Sequence, residues 1–204
     1  MSNIEGQPRA RDEDFELVCL SQKGDVDAFG ALVEKHQKNM VNIAYRMLGD
    51  YEGACDVVQD AFLSAHKAIG KFRGDAMFST WLCRIVINVS KNHMKQMRLR
   101  LQREGASIDI PIETEEGQLR NDPPDPTPSI AEQFEKKEVQ AKVQSCINSL
   151  DDEYREVLVL RYIQGFSYKE ICDVLKIPDG TAKSRLFRAR DALKDRLKKV
   201  LGDL

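Results

Sequence analysis

Four prolines fall within the nine residues "NDPPDPTPS", 121 to 129, and no single helical core can run through them. Each proline lacks the amide donor that a helix needs and pushes the residue before it toward extended backbone. The stretch sits in acidic surroundings, because residues 104 to 138 hold ten acidic residues against three basic ones. With 204 residues, 42% of them hydrophobic, the chain has enough apolar content for a core on either side of the break. The expected organisation is therefore a disordered segment at 1–13, a first domain at 14–103, a flexible acidic linker at 104–131 and a second domain at 132–204.

On both sides of that linker, apolar residues recur at three- and four-residue spacing, and no alternating apolar and polar run is bounded by turns. The fold class expected is all-α: two small helical domains. Helices are predicted near 12–23, 25–48, 51–69 and 78–100, broken by "KGD", "LGD" and "FRGD", and then near 131–149, 151–163, 167–175 and 179–200. There is no internal repeat.

The chemistry-bearing residues exclude more than they suggest. Cys19, Cys55, Cys83, Cys146 and Cys172 stand far apart, odd in number and without a C-x-x-C pair, which fits reduced thiols rather than a disulfide framework. The three histidines make no metal-ligand spacing, and no nucleophile is paired with a base, so neither an enzyme nor a metal or other cofactor is expected. The polar start "MSNIEGQPRARDEDFE" has no apolar signal core, and no run is long enough to span a bilayer. A cytoplasmic protein without membrane insertion and without a small-molecule substrate is expected.

Net charge is only -2, but the charges are segregated. Arg84, Lys91, Lys95, Arg98, Arg100 and Arg103 lie in 84–103 with no acid among them, and 181–199 carries eight Lys/Arg against two Asp. Two basic segments flanking an acidic tether point to nucleic acid. In the second, "SYKE" at 167–170 is a capping box that starts a short helix, "KIPDG" turns the chain, and a longer basic helix follows, in the order of a helix-turn-helix. At 100° per residue, Ala182, Leu186, Ala189, Leu193 and Leu197 form the buried stripe of that last helix, while Lys183, Ser184, Phe187 and Arg188 lie opposite. An outward aromatic among cations suits a major groove, where an apolar group can meet a thymine methyl. Arg185 and Arg190, at the margins, are expected to reach phosphates.

In the first domain, the helix over 51–69 buries Val57, Val58, Ala61, Ala65 and Ala68 and turns Asp56, Gln59, Asp60 and Leu63 outward. An exposed leucine amid acids is either a partner-docking spot or the rim of the core. The next helix buries Leu82, Ile85, Val86 and Val89, and its other side carries Arg84, Asn88, Lys91, Asn92 and Lys95, with Trp81 at the head. Cations with amides and an aromatic suit single-stranded DNA. For Trp81, burial as a core anchor and stacking on a base both remain open.

In order, the stretches "DVVQDAFL", "FRGDAMFSTWLCRIVINVSKNHM" and "SLDDEYREVLVLRYIQGFSYKEICDVLKIPDGTAKSRLFRAR" resemble a bacterial RNA polymerase sigma factor of the extracytoplasmic-function (ECF) group. The resemblance runs from about residue 14 to 200, the linker excepted. It implies sigma region two followed by region four, with no region three between. It also implies docking of the acidic helix on the clamp of the largest subunit of core RNA polymerase, opening of the minus-ten element of promoter DNA by the next helix, and reading of the minus-thirty-five element by the last. An anti-sigma factor is implied as a further partner. Two departures stand out: Cys83 lies where the family often has an aromatic, and Ala182 where valine is commoner. The alternative from another class is a stand-alone helix-turn-helix regulator, which as a symmetric dimer needs a palindromic site and no polymerase.

Overall fold

The computed structural model describes residues 13–103 and 130–202, with the backbone alone for 130–136. The expected disordered N-terminus and acidic linker therefore fall, apart from residues 13, 130 and 131, outside the described residues. Among the described residues every regular element is helical: α1 (Phe15–Gln22), α2 (Val26–Leu48), α3 (Tyr51–Ala68) and α4 (Phe78–Arg103), then α5 (Ile130–Asn148), α6 (Asp152–Leu158), α7 (Tyr168–Leu175) and α8 (Asp179–Leu201).

The helix ends are written locally. Gly49 takes a left-handed conformation, φ 82°, and closes α2 by donating its amide to the Tyr45 carbonyl. Asp50 follows and caps α3 by accepting from the Gly53 amide at 2.8 Å. Asp25 does the same for α2 through Ala28, at 2.9 Å. These three residues make "KGD" and "LGD" corners, so α1 to α4 fold back on one another. Leu32, Ile43 and Met47 of α2, Val57 and Ala61 of α3, and Phe78, Leu82 and Val86 of α4 are buried together.

In the second unit, α6 runs directly into one π-helical turn, Val159–Ile163. The predicted helix over 151–163 thus exists, but its last turn is widened, a single-turn departure of the kind found inside α-helices. The capping box forms as expected: the Ser167 amide donates to Glu170 at 2.8 Å, and the Glu170 amide donates to the Ser167 hydroxyl at 3.3 Å. Lys176, with φ 56°, ends α7 in the left-handed region, and Pro178 starts α8. Ile171, Val174, Ala182, Leu186 and Ala189 then lock α7 against α8.

The two units also pack on each other, which the sequence pattern did not predict. Arg155 of α6 is buried, and its guanidinium donates to the Met47 carbonyl at the end of α2 (2.6 Å) as well as to the Ile147, Asn148 and Leu150 carbonyls at the end of α5. Helix C-termini leave carbonyls without intrahelical donors and favour a cation, so one side chain satisfies two helix ends at once. Arg46 donates to Gln144 at 2.8 Å, and Gln144 returns longer contacts to the Tyr45 and Arg46 carbonyls. Asn39 and Gln164 exchange hydrogen bonds at 2.8 and 3.1 Å. A Cβ on Gly49 would collide with the Asn148 side chain, so this glycine serves both the turn and the close approach of α5.

Candidate nucleic-acid interface

On α8 the structure places the expected stripe inward and the expected face outward. Ala182, Leu186 and Ala189 are buried and Leu193 and Leu197 half-buried, whereas Lys183, Ser184, Arg188 and Arg190 are exposed. Phe187 is 73% exposed, which removes it from the core. Not all the cations on this helix stand ready in the same way. Lys183 pairs with Asp179 at 2.6 Å and lies near the Tyr168 ring, and Arg185 reaches Glu153 of α6 at 2.6 Å. Hydrogen bonding to Asp179 holds the Lys183 ammonium above its ordinary pKa, so it stays charged.

On α3, Asp56, Gln59, Asp60 and Leu63 are all exposed, Leu63 at 54%, and form one ridge opposite the buried Val57, Val58, Ala61 and Ala65.

On α4, Asn88, Asn92 and Lys95 are exposed and Arg84 half-buried. Trp81 is half-buried, with Phe72 and Phe78 at ring-centroid distances of 5.1 and 5.7 Å. It is anchored on the core aromatics and also lines a cleft with Phe72, Arg73, Arg84, Asp173 of α7 and Lys176 just after it. Lys91 is exposed, yet its ammonium is 2.8 Å from a carboxylate oxygen of Glu156 in the second unit. These residues thus lie along one side of α4, part of it already paired, while Ile85 and Val89, expected in the core, are half-buried and Cys83, Ile87 and Ser90 are buried instead. Arg73 and the acids of α6 and α7 are the site neighbours that sequence reasoning missed. The "FRGD" stretch was legible as a turn, but nothing in it signals that α7 will stand across the cleft.

The two positions that depart from the family pattern are both core. Cys83 is fully buried, and burial pushes its thiol up to about 12, so it is an inert hydrophobe here. Ala182 is buried under α7.

A helix-turn-helix with an exposed basic face and a second helical unit with a cationic face of its own define a two-part helical DNA-binding protein. Two family models match the chain, sigma-70 region 2 over residues 32–100 and sigma-70 region 4 over residues 140–193. The RNA polymerase sigma-H factor of Pseudomonas aeruginosa is 36% identical over 95% of this chain and 98% of its own length. The ECF RNA polymerase sigma-E factor of Escherichia coli K12 is 33% identical over 91% of this chain and 94% of its own. Among solved structures, CnrH in complex with the cytosolic domain of CnrY is 27% identical, with a TM-score of 0.64 over 92% of this chain and 99% of that one. The sigma factor RpoE of Bartonella quintana, solved with the anti-sigma factor NepR, shares the fold at 21% identity and a TM-score of 0.65, over 83% of this chain and 96% of that one.

The chain belongs to the sigma-70 family of RNA polymerase sigma factors, in its ECF group. Region 2 and region 4 stand in the expected order, and the stand-alone regulator is not favoured.

Proposed function

We propose that the chain directs promoter-specific initiation with its three outward faces each in a separate role. Asp56, Gln59, Asp60 and Leu63 of α3 dock on the clamp of the largest subunit of core RNA polymerase. Trp81, Arg84, Asn88, Lys91, Asn92 and Lys95 of α4 open the minus-ten element and hold its unpaired strand. Lys183, Ser184, Phe187 and Arg188 of α8 enter the major groove of the minus-thirty-five element, with Arg185 and Arg190 toward phosphates. The chain acts in the cytoplasm, with no catalytic step or cofactor of its own. Among the described residues no helix is long and apolar enough to cross a membrane. The working units are 14–103 and 132–204, and an anti-sigma factor is the proposed inhibitor; the CnrH complex supports the idea that a chain of this kind is held by a second protein.

The observation that carries this reading is the pair of cationic, amide- or aromatic-bearing faces, on α4 and α8, beside an acidic ridge on α3 with no such cations. A duplex reader alone needs only one of them. Run-off transcription with purified core polymerase on genomic fragments tests it: transcripts are expected only when both chain and core are present. Footprinting of a palindromic site by the chain alone is the result that would restore the regulator reading.

Reversing charge with Asp60→Lys is expected to weaken binding to core while leaving thermal stability within about 0.5 kcal/mol, since Asp60 is exposed. A variant that binds core normally but melts early places Asp60 in the fold instead. Asn88→Ala removes a short amide from the α4 face without touching the core. It is expected to reduce permanganate reactivity of promoter thymines in the open complex, and unchanged reactivity would remove Asn88 from strand opening.

A further inference from the structure

Nothing in the sequence marks Gln22, in the last turn of α1, yet its side chain reaches the chain 47 and 50 positions further on. Its amide nitrogen donates to the Ile69 carbonyl at 3.0 Å and to the Phe72 carbonyl at 2.8 Å. A primary amide nitrogen carries two hydrogens, and both are used here. Both partners are acceptors, so only the nitrogen of this amide can face them. The two carbonyls bracket the 3-10 turn Ile69–Lys71 that leaves α3, and the Ile69 carbonyl also accepts from the Phe72 amide at 3.0 Å. Gln22 therefore pins this turn at both ends and fixes Phe72 at its exit.

Phe72 links α1 to the cleft. Its ring lies 5.1 Å from that of Trp81 and, edge-on, 6.1 Å from that of Phe78. Phe72, Arg73, Trp81 and Arg84 line the cleft together. Beyond Phe72 the wall is a loop, with Arg73, Gly74 and Asp75 exposed and Gly74 left-handed at φ 73°. The entry to that loop is held by Gln22, and its exit by the start of α4.

The helix that carries Gln22 is fastened without it. Val18 is buried, and Asp14, 3% exposed, accepts from the Lys35 ammonium and pairs with His36 Nε2 of α2, each at 2.7 Å. The other end of α1 closes as the Lys23 and Gly24 amides donate to the Leu20 and Ser21 carbonyls at 2.9 and 3.0 Å. Gln22 thus projects from a fixed helix onto a turn that has few other ties.

We propose that Gln22 is a positioning residue for strand capture: its two amide hydrogens set the Ile69–Phe72 turn, and with it the wall of Phe72 and Trp81 against which an unpaired base of promoter DNA is held. The inference rests on the reading of α4 as the single-strand face. Gln22 itself touches no nucleotide. Its contribution is preorganisation, since a wall already set need not be ordered when a strand arrives. Because Gln22 is exposed, water can take over either carbonyl, so losing the amide loosens the turn without unfolding the core.

Trp81 is the sole tryptophan of the chain, so its emission reports on this wall directly. The test uses the full chain carrying Q22M, which keeps the length of the side chain and removes both donors. The control is Q37M, the same change at an exposed glutamine of α2 outside the cleft lining. Emission and acrylamide quenching of Trp81 are read in the chain alone. Anisotropy of a fluorescein-labelled, thymine-rich single strand is read with holoenzyme, and the signal of core polymerase alone is subtracted. Q22M is expected to shift Trp81 emission to longer wavelength, to raise its quenching and to weaken strand binding roughly tenfold, the weight of about one net hydrogen bond. Q37M is expected to match the parent in all three. Unchanged emission in Q22M overturns the proposal, and so does shifted emission with strand binding unaltered. A thermal midpoint several degrees lower with parent emission makes Gln22 a fastening of α1 and overturns it as well.

Should Q22M lose its helical signal in circular dichroism, Q22E asks the same question with a side chain of the same shape that only accepts. Emission at longer wavelength is expected, and parent emission in Q22E would show that the donors are not needed and overturn the proposal. Arg84→Ala, at the cleft, separates this failure from failure of the α4 reading. If Arg84→Ala weakens strand binding while Q22M leaves it unaltered, α4 reads strands and Gln22 does not position them. If neither variant has an effect, the α4 reading falls together with the role of Gln22.

Discussion

Arg155→Met is expected to lower the thermal midpoint by roughly 6 to 12 °C, the largest single-residue effect on stability predicted for this chain. Arg155 is 5% exposed and donates to four backbone carbonyls, three at the close of α5 and one at the end of α2. A buried acceptor left without its donor costs about 1–3 kcal/mol. Removing Arg155 strands several of them, and against this methionine recovers the desolvation that lowers the guanidinium's pKa. A net loss of about 3 kcal/mol is the balance, and in a chain of this size each kcal/mol moves the midpoint by roughly 2–4 °C. Lysine is not a rescue, because its ammonium cannot span the positions that a planar five-donor fork reaches. Calorimetry checks this in two ways: the midpoint should fall, and the single transition should broaden or split as the units cease to unfold together. A midpoint within 2 °C of the parent, to be judged against roughly that value per kcal/mol, would mean that water satisfies these carbonyls and the clamp is incidental.

The second large effect concerns promoter choice. Phe187→Ala is expected to abolish discrimination at one base pair of the minus-thirty-five element, while the salt dependence of binding and the thermal midpoint stay unchanged. With the ring 73% exposed, its removal leaves no cavity, and with no charge lost the counterion balance is untouched. Arg188→Ala is the contrasting case, expected to cost about 1–3 kcal/mol and relax preference at a single base pair if the guanidinium reads a base edge. Arg190→Ala should weaken all promoters alike and lower the salt slope by about one unit, the signature of a phosphate contact. Binding of holoenzyme to promoter variants across a salt series distinguishes the three. A drop of several degrees in the midpoint of Phe187→Ala, with promoter choice intact, would make the residue part of the fold.

The helix-turn-helix was legible because its signals are local. The Ser167–Glu170 capping box, the turn at Lys176 to Pro178 and the 100° stripe of Ala182, Leu186 and Ala189 each involve residues within a few positions of one another, and all three form. The same holds for the corners at Gly24–Asp25 and Gly49–Asp50, and for the outward ridge of α3. The π turn after Leu158 was not legible, since its apolar residues Val159 and Leu160 fit an α-helical stripe equally well. On α4 the pattern picked out Asn88, Lys91, Asn92 and Lys95, which are exposed, but it put Ile85 and Val89 in the core, where they are only half-buried, and gave no sign that Lys91 and Arg98 already have partners.

What the sequence determined by itself was the helical class, the order of two units around a proline-rich acidic break, and which face of each helix is apolar. Helical periodicity and capping depend on neighbours three or four residues away, so these are written in any short window of the chain. Only the tertiary structure decided what meets the polar faces. Arg155 reaches a carbonyl 108 positions away in sequence, Gln144 one 99 away, and Arg98 an acid 54 away. Nothing in a local window ranks one distant acid or carbonyl above another. That choice falls to the packing of whole helices, which brings α6 alongside α4 and the ends of α2 and α5 onto a single guanidinium.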